Sequence, residues 1–312
     1  MSVSQTYHYP VLYREILEHC PSNTRYILDG TFGHAGHARY LLSNLPAIES
    51  YLALDQDPDV IAEFGESRFE GSSKIELIHK NFADVTFYKD SIKTQLDLII
   101  LDLGTSMHQL QSANRGFSFL KDGPLDMRMN TSEGIPLKDW LETASQEEIS
   151  ETLKNYGEEK FHHRISIAIM ENRQNLDSTL ALANCIEQCL PKSYIRQQKI
   201  HVATRSFQAF RIMLNKELIN LRFALEKLFP YLRPNGRIMV ISFHSLEDRI
   251  VKNIFREWER SDNPIPGVPG DYKCSLGRCK PRKVIRPTNF EIEENSASRS
   301  ARMRVFEKAS DA

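Results

Sequence analysis

Four short, nearly unbroken apolar runs mark the first third of the chain, and helical spacing fills the intervals between them. The runs are Tyr26-Ile-Leu-Asp29, Tyr51-Leu-Ala-Leu54 followed by Asp55, Lys74-Ile-Glu-Leu-Ile-His79, and Leu96-Asp-Leu-Ile-Ile-Leu101 followed by Asp102. Runs this short and this continuous fit strands covered on both faces, as in a parallel sheet flanked by helices. Ala38–Ser43 has helical apolar spacing, and Asp57-Pro58 opens another helix with proline in its first turn. Much later, Phe207–Phe229 reads as an amphipathic helix, Pro234-Asn-Gly236 as a turn, and Arg237–Ile241 as a fifth strand. Ser242–Val251 then reads as a turn and helix, and Lys283–Ile285 and Arg302–Phe306 as the last two strands. The pattern predicts an α/β fold.

Residues from about Gln109 to Arg205 far exceed an ordinary strand-to-helix connection. They carry helical patterns over Leu137–Thr143, Glu147–Tyr156, Phe161–Asn172 and Thr179–Cys189. The economical reading is an all-helical domain, 109–205, inserted between two parts of one α/β domain, 1–108 and 206–312. An insert leaving the sheet at the carboxyl ends of its strands is expected to overhang any ligand bound there.

The segment after the first strand, Asp29-Gly-Thr-Phe-Gly-His-Ala-Gly-His37, is the main chemical signal. Strand, small-residue turn and helix together let backbone N–H groups approach a cofactor at a helix N-terminus. Asp55, at the tip of the next strand, has the spacing of an acid that accepts both ribose hydroxyls of a nucleoside. A dinucleotide fingerprint needs Gly-x-Gly-x-x-Gly, and that order is absent here. Asp29 at the head of the turn would repel a pyrophosphate but suits the ammonium of S-adenosylmethionine. A nicotinamide-dependent dehydrogenase and a non-catalytic RNA-binding protein with a retained cofactor pocket remain the competing readings.

Composition narrows the class. The 312 residues are 41% hydrophobic and 26% charged, as in ordinary globular proteins, with no apolar run of membrane-spanning length and no signal-like N-terminus. Five cysteines at irregular spacing suggest no disulfide framework, and the cytoplasm is the expected compartment. Cys274 and Cys279 lack a second ligand pair nearby, so no metal is expected. The net charge of −1 gives no whole-protein case for nucleic acid. Locally, Lys273, Arg278, Lys280, Arg282, Lys283, Arg286, Arg299, Arg302 and Arg304 outnumber Glu291, Glu293 and Glu294, a candidate phosphate footprint.

Four motifs stand in the order of one known family: Asp29–His37, Leu101–Leu110, Arg115–Met129 and Val240–Val251. On them, the chain resembles the MraW/RsmH family of small-subunit ribosomal RNA cytosine-N4 methyltransferases. The resemblance implies a Rossmann-like class I methyltransferase sheet whose inserted helical domain recognises substrate. It implies methyl transfer from S-adenosyl-L-methionine to N4 of a cytidine in 16S rRNA, tuning the decoding region. The small ribosomal subunit would be the partner, with no membrane involved; the sequence leaves a homodimer open. By position it implies cofactor contacts from Ala35, Gly36, His37, Asp55, Phe82, Asp102 and Gln109. Ala35 stands where the family usually has glycine, Met107 replaces a usual serine, Gln111 a usual aspartate, and Ser296-Ala297 a usual Pro-Arg.

The N4 amine of cytosine is a poor nucleophile, so an enzyme must align it with the sulfonium methyl and accept its N–H hydrogens as charge develops. Asp102, at the end of strand four, is the candidate catalytic acceptor, for the amine or for the cofactor. Gly116–Phe119 and Asp126–Met129, at the root of the insert, are candidates for lining a pocket for an unstacked base. His244, at the tip of strand five, is a further candidate on the substrate side.

Overall fold

The computed structural model describes residues 10–65, 72–84, 88, 92, 94–260 and 275–310. They form two compact units, one of residues 1–104 with 218–312 and the other Thr105–Glu217.

The first unit is built on a sheet in the order β3-β2-β1-β4-β5-β7-β6. Its strands are β1 (Tyr26–Asp29), β2 (Ser50–Asp55), β3 (Ile75–His79), β4 (Leu96–Asp102), β5 (Leu232–Ser242), β6 (Gly277–Cys279) and β7 (Arg302–Lys308). β1 to β5 are parallel, while β7 runs antiparallel to both β5 and β6. The order reverses between β1 and β4, where an open α/β sheet leaves a crevice outside the strands' carboxyl ends.

The apolar runs are continuous because both sheet faces are buried, with successive residues going to opposite sides. Leu28, Leu52, Leu54, Ile99, Leu101, Ile238 and Val240 join one core with the helices Glu217–Leu228 and Ser245–Glu259. Ile27, Tyr51, Ala53, Leu98, Ile100, Met239 and Ile241 join the other with the helices Tyr13–His19, Gly36–Asn44 and Pro58–Phe64. Asp97 is the polar exception inside β4. Its buried carboxylate accepts the backbone N–H groups of Arg25 (2.7 Å) and Tyr26 (2.8 Å) and pairs with Arg233, tying the start of β1 to β4.

The second unit is helical. Helices Leu137–Thr143, Gln146–Gly157, His162–Asn172, Thr179–Cys189 and Thr204–Leu214 bury Leu137, Ile149, Leu153, Ile165, Ile169, Leu182, Ile186, Phe207 and Phe210 in one cluster. Ser145 and Glu148 close a reciprocal capping box at the head of the second of these helices, and Ser178 caps the fourth. Phe207, Ala209 and Phe210 belong to this core, so the unit extends to Glu217 rather than ending at Arg205.

Three local readings change. The amphipathic stretch 207–229 is two helices, Thr204–Leu214 and Glu217–Leu228, because Lys216 takes a left-handed conformation (φ 53°). Asn215 supports the break by donating to Arg211 O and Met127 O and accepting from Met129 N–H. Pro234-Asn-Gly236 is a bulge within β5, where partners jump from Leu96↔Leu232 to Leu98↔Arg237. The outer strand is Gly277–Cys279 instead of Lys283–Ile285. Ile285 makes one isolated bridge to Met303, since Pro281 and Pro287 supply no ladder donors on either side of it.

Candidate active site

Three acids, Asp29, Asp55 and Asp102, stand at the carboxyl ends of β1, β2 and β4. The turn after β1 fits among them because of its backbone. A side chain on Gly30 would put its Cβ 2.5 Å from Leu101 Cδ2 and 2.9 Å from Phe82 Cβ, so only glycine lets the three segments converge. Gly33 (φ 53°) and Ala35 (φ 62°) are left-handed, and Ala35 then starts the helix Gly36–Asn44. Alanine there carries a steric cost of about 1–2 kcal/mol that glycine avoids, a physical reason for the family's preference.

Each acid is held differently. Asp29 is buried: one oxygen accepts Thr31 N–H (3.0 Å) and the other the Tyr51 hydroxyl (2.7 Å). Burial raises its pKa to about 6 against these hydrogen bonds. Asp29 therefore organises the turn. Asp55 accepts Gly33 N–H (2.8 Å) on one oxygen and Asp57 N–H (2.9 Å) on the other. Each oxygen keeps a second lone pair for a hydroxyl. Burial lifts Asp55 to about 6 as well.

Asp102 is the least satisfied of the three. Its backbone N–H donates to Thr31 Oγ1 (2.6 Å), which locks it to the turn. Its Oδ2 lies 3.8 Å from Nδ1 of buried His37. Its Oδ1 is buried and has no hydrogen-bond partner among the described residues. Burial raises its pKa to about 7, opposed by His37 and reinforced by the charges of Asp29 and Glu247.

The remaining sequence candidates divide. Gly36 packs against Pro10, its would-be Cβ 3.0 Å from the proline ring. His37 Nε2 lies 2.9 Å from Val11 O. Phe82 is 9% exposed, in one core with Leu54, Leu101 and Tyr88, and its carbonyl accepts the Tyr88 hydroxyl. Gln109 lies in the helical unit, where it forms a capping box with Ser106 at the head of the helix Met107–Gln111. There too Arg115, from the long motif, donates to the carbonyls of Arg128 and Met129, giving Phe117, Met127 and Met129 a core role. His244 caps the helix Ser245–Glu259 and lies 3.0 Å from buried Glu247, which also accepts Phe243 N–H.

The basic segment is thinner than its composition suggests. Arg278 and Lys280 pair with Glu307, and Arg302 and Arg304 with Asp248. Arg282, Lys283, Arg286 and Arg299 are exposed and have no ion pair among the described residues. Lys273 and Cys274 lie outside the described residues. Sequence reading missed Thr31 and Tyr51, whose partners come from other strand ends, and Glu247, which accepts the neighbouring Phe243 N–H. The aromatic Tyr51 in an otherwise aliphatic strand, beside the strand that ends in Asp29, was the only available hint.

The donor set suits a cationic adenosyl ligand. A glycine-lined turn meets acids lifted by burial, and one of them keeps a buried unpartnered oxygen. No helix among the described residues is long and apolar enough to cross a membrane.

A model of the MraW methylase family matches residues 5–309. The chain is 40% identical to Ribosomal RNA small subunit methyltransferase H of Coxiella burnetii, over 97% of this chain and 99% of that one. It is 40% identical to the protein of that name from Thermotoga neapolitana and 41% identical to that from Nitrosococcus oceani, over 96% of both chains in each case. With the strand order, the glycine turn and the acids at three strand tips, these matches mean that the chain belongs to the MraW methylase family.

Proposed function

We propose that this chain transfers a methyl group from S-adenosyl-L-methionine to N4 of a cytidine in the 16S rRNA of the small ribosomal subunit, in the cytoplasm. Family membership supports the reaction class, and the name of the relatives supports the substrate. The observation that carries the chemistry is Asp102, with one buried oxygen unpartnered and the other facing His37.

The cofactor supplies an electrophilic methyl on a positively charged sulfur. In this reading Asp55 accepts the ribose hydroxyls, and the left-handed Gly33–Ala35 turn presents backbone donors to the methionine end. Asp102 accepts an N–H of the target amine through Oδ1, directing the nitrogen lone pair toward the methyl group. Burial of these acids excludes water and strengthens each interaction. We assign substrate recognition to the helical unit 105–217, and backbone phosphate contacts to Arg282, Lys283, Arg286 and Arg299.

The test is transfer of isotopically labelled methyl to small subunits lacking the modification, followed by nucleoside analysis. Label in N4-methylated cytidine is the expected outcome. Label on protein, on DNA or at cytosine C5 defeats the proposal.

A further inference from the structure

His37 lies between two groups of unlike demand. Val11 O, 2.9 Å from Nε2, can only accept, so Nε2 carries a hydrogen in the neutral ring as well as in the cation. The other nitrogen, Nδ1, is then the only position on the ring that gains or loses a proton, and it faces Asp102 Oδ2 at 3.8 Å. Catalytic hydrogen bonds commonly stand long before ligand binds and tighten with it.

The Val11 carbonyl is itself held from far along the chain. Buried Glu291 accepts Leu12 N–H through Oε1 at 2.7 Å, across 279 residues of sequence. Leu12 is left-handed (φ 54°), a conformation that a bulky side chain keeps only under outside constraint. Arg14, in the helix that follows, pairs with Glu294 at 3.7 Å and lies over the Phe290 ring. The helix Asn289–Glu294 therefore fixes the Val11–Leu12 peptide in place.

We propose that His37 is the proton partner of Asp102 in methyl transfer, and that Glu291 is a positioning residue that fixes the His37 tautomer through Leu12 and Val11. This rests on the reading given under Proposed function. As the nitrogen lone pair bonds to the methyl carbon, the carbon–sulfur bond breaks and sulfur keeps its electron pair. The amine nitrogen, now positively charged, gives one proton to Asp102 Oδ1. A carboxylate whose other oxygen faces Nδ1 can share that proton with the imidazole, and solvent removes it after release. The two oxygens of Asp102 divide the work, Oδ1 toward the reaction and Oδ2 toward His37. The other charged groups acting on Asp102 are Asp29 and Glu247, both of which favour its protonated form.

The first experiment needs no methyl transfer: nitrogen chemical shifts of His37 in the cofactor-free chain, followed through a pH titration. We expect the Nε2–H form with titration at Nδ1. A Nδ1–H tautomer overturns the proposal whatever the substrate proves to be. Glu291→Ala is expected to mix the tautomers and Glu291→Gln, which keeps a carbonyl acceptor, to restore the single form. Should the alanine variant fail to fold, Glu291→Asp withdraws the acceptor by one methylene and gives the same reading. Unmoved His37 shifts in folded Glu291 variants remove Glu291 from the scheme. In the transfer assay, His37→Gln keeps a donor for Val11 but takes up no proton. We expect kcat to fall at least tenfold at neutral pH and recover as pH rises. An unchanged kcat and pH profile overturns the role of His37.

Discussion

A ligand carrying positive charge at its sulfur and its ammonium binds best when the acids around it are ionised, and two of those acids resist ionisation. Asp102 is lifted to about 7 and Asp55 to about 6, burial being the leading cause for each. Cofactor affinity should therefore fall as pH falls. If only ionised Asp102 binds, the apparent Kd grows as one plus ten to the power of pKa minus pH. That factor is about 2 at pH 7 and about 100 at pH 5. Asp55 adds about tenfold at pH 5, so the fall from pH 8 to pH 5 is about a thousandfold. The logarithm of the affinity should be nearly flat at pH 8, fall by about one unit per pH unit between pH 7 and 6, and steepen toward two below pH 6. Calorimetry with S-adenosylmethionine across pH 5 to 8.5, in buffers of different ionisation heat, reads the affinity and the protons released together. Asp102→Asn should leave a drop of about tenfold, the share due to Asp55. An affinity constant within threefold over that range, in a protein folded throughout, refutes the argument.

The same acids set the stability of the chain. Asp102→Asn removes a carboxylate that is costly to ionise, its pKa standing at about 7 in the folded chain against the ordinary aspartate value near 4. The folded protein should therefore gain up to about 4 kcal/mol at pH 8 and nothing near pH 4, read by denaturant unfolding. Asp55→Ala should weaken cofactor binding at least tenfold, because hydrogen bonds to a charged group contribute about 1.5–3 kcal/mol; unchanged affinity in folded protein contradicts its role. Neutralising Arg282 and Arg286 together should flatten the salt dependence of methyl transfer to subunits, whereas neutralising Arg278, already paired with Glu307, should change it little. Changes on the exposed face of the helical unit should lower transfer to subunits while leaving cofactor affinity intact.

Much of the sheet was legible because burial on both faces leaves its mark in every residue of a strand. β1, β2 and β4 were readable nearly to the residue, and the helices of 137–189 were readable from their 3.6-residue spacing. What failed depended on partners remote in sequence. Pro281 and Pro287 were a local signal against Lys283–Ile285 as the outer strand, while Gly277–Cys279 has no apolar run of its own and is a strand only through its pairing with β7. The break at Asn215-Lys216 is invisible to periodicity because the apolar spacing continues across it, while the side chain that stabilises it bonds to Met127 and Met129. The acids at the strand tips were legible as positions but not as states. Asp29 and Asp55 look alike in sequence and each receives one donor per oxygen, yet Asp29 is 1% exposed while Asp55 stays partly exposed.

That difference separates framework from chemistry at this site. Asp29 meets its desolvation with two strong donors and so serves the turn. Asp102 has neither of those donors, only an imidazole at 3.8 Å, and it is lifted furthest of the three. A group left in that condition is ordinarily replaced by a neutral one, since an uncompensated buried carboxylate costs stability at every pH above its own pKa. Its retention makes sense where the missing partner arrives with the ligand: an amine that donates, or a positive charge that restores ionisation. The free energy withheld from folding at pH 8 is then available to binding and to transfer. The Asp102→Asn variant should for that reason be at once more stable and inactive at pH 8. A variant that lost activity without gaining stability would mean that Asp102 is already compensated in the folded chain and that burial is not what tunes it.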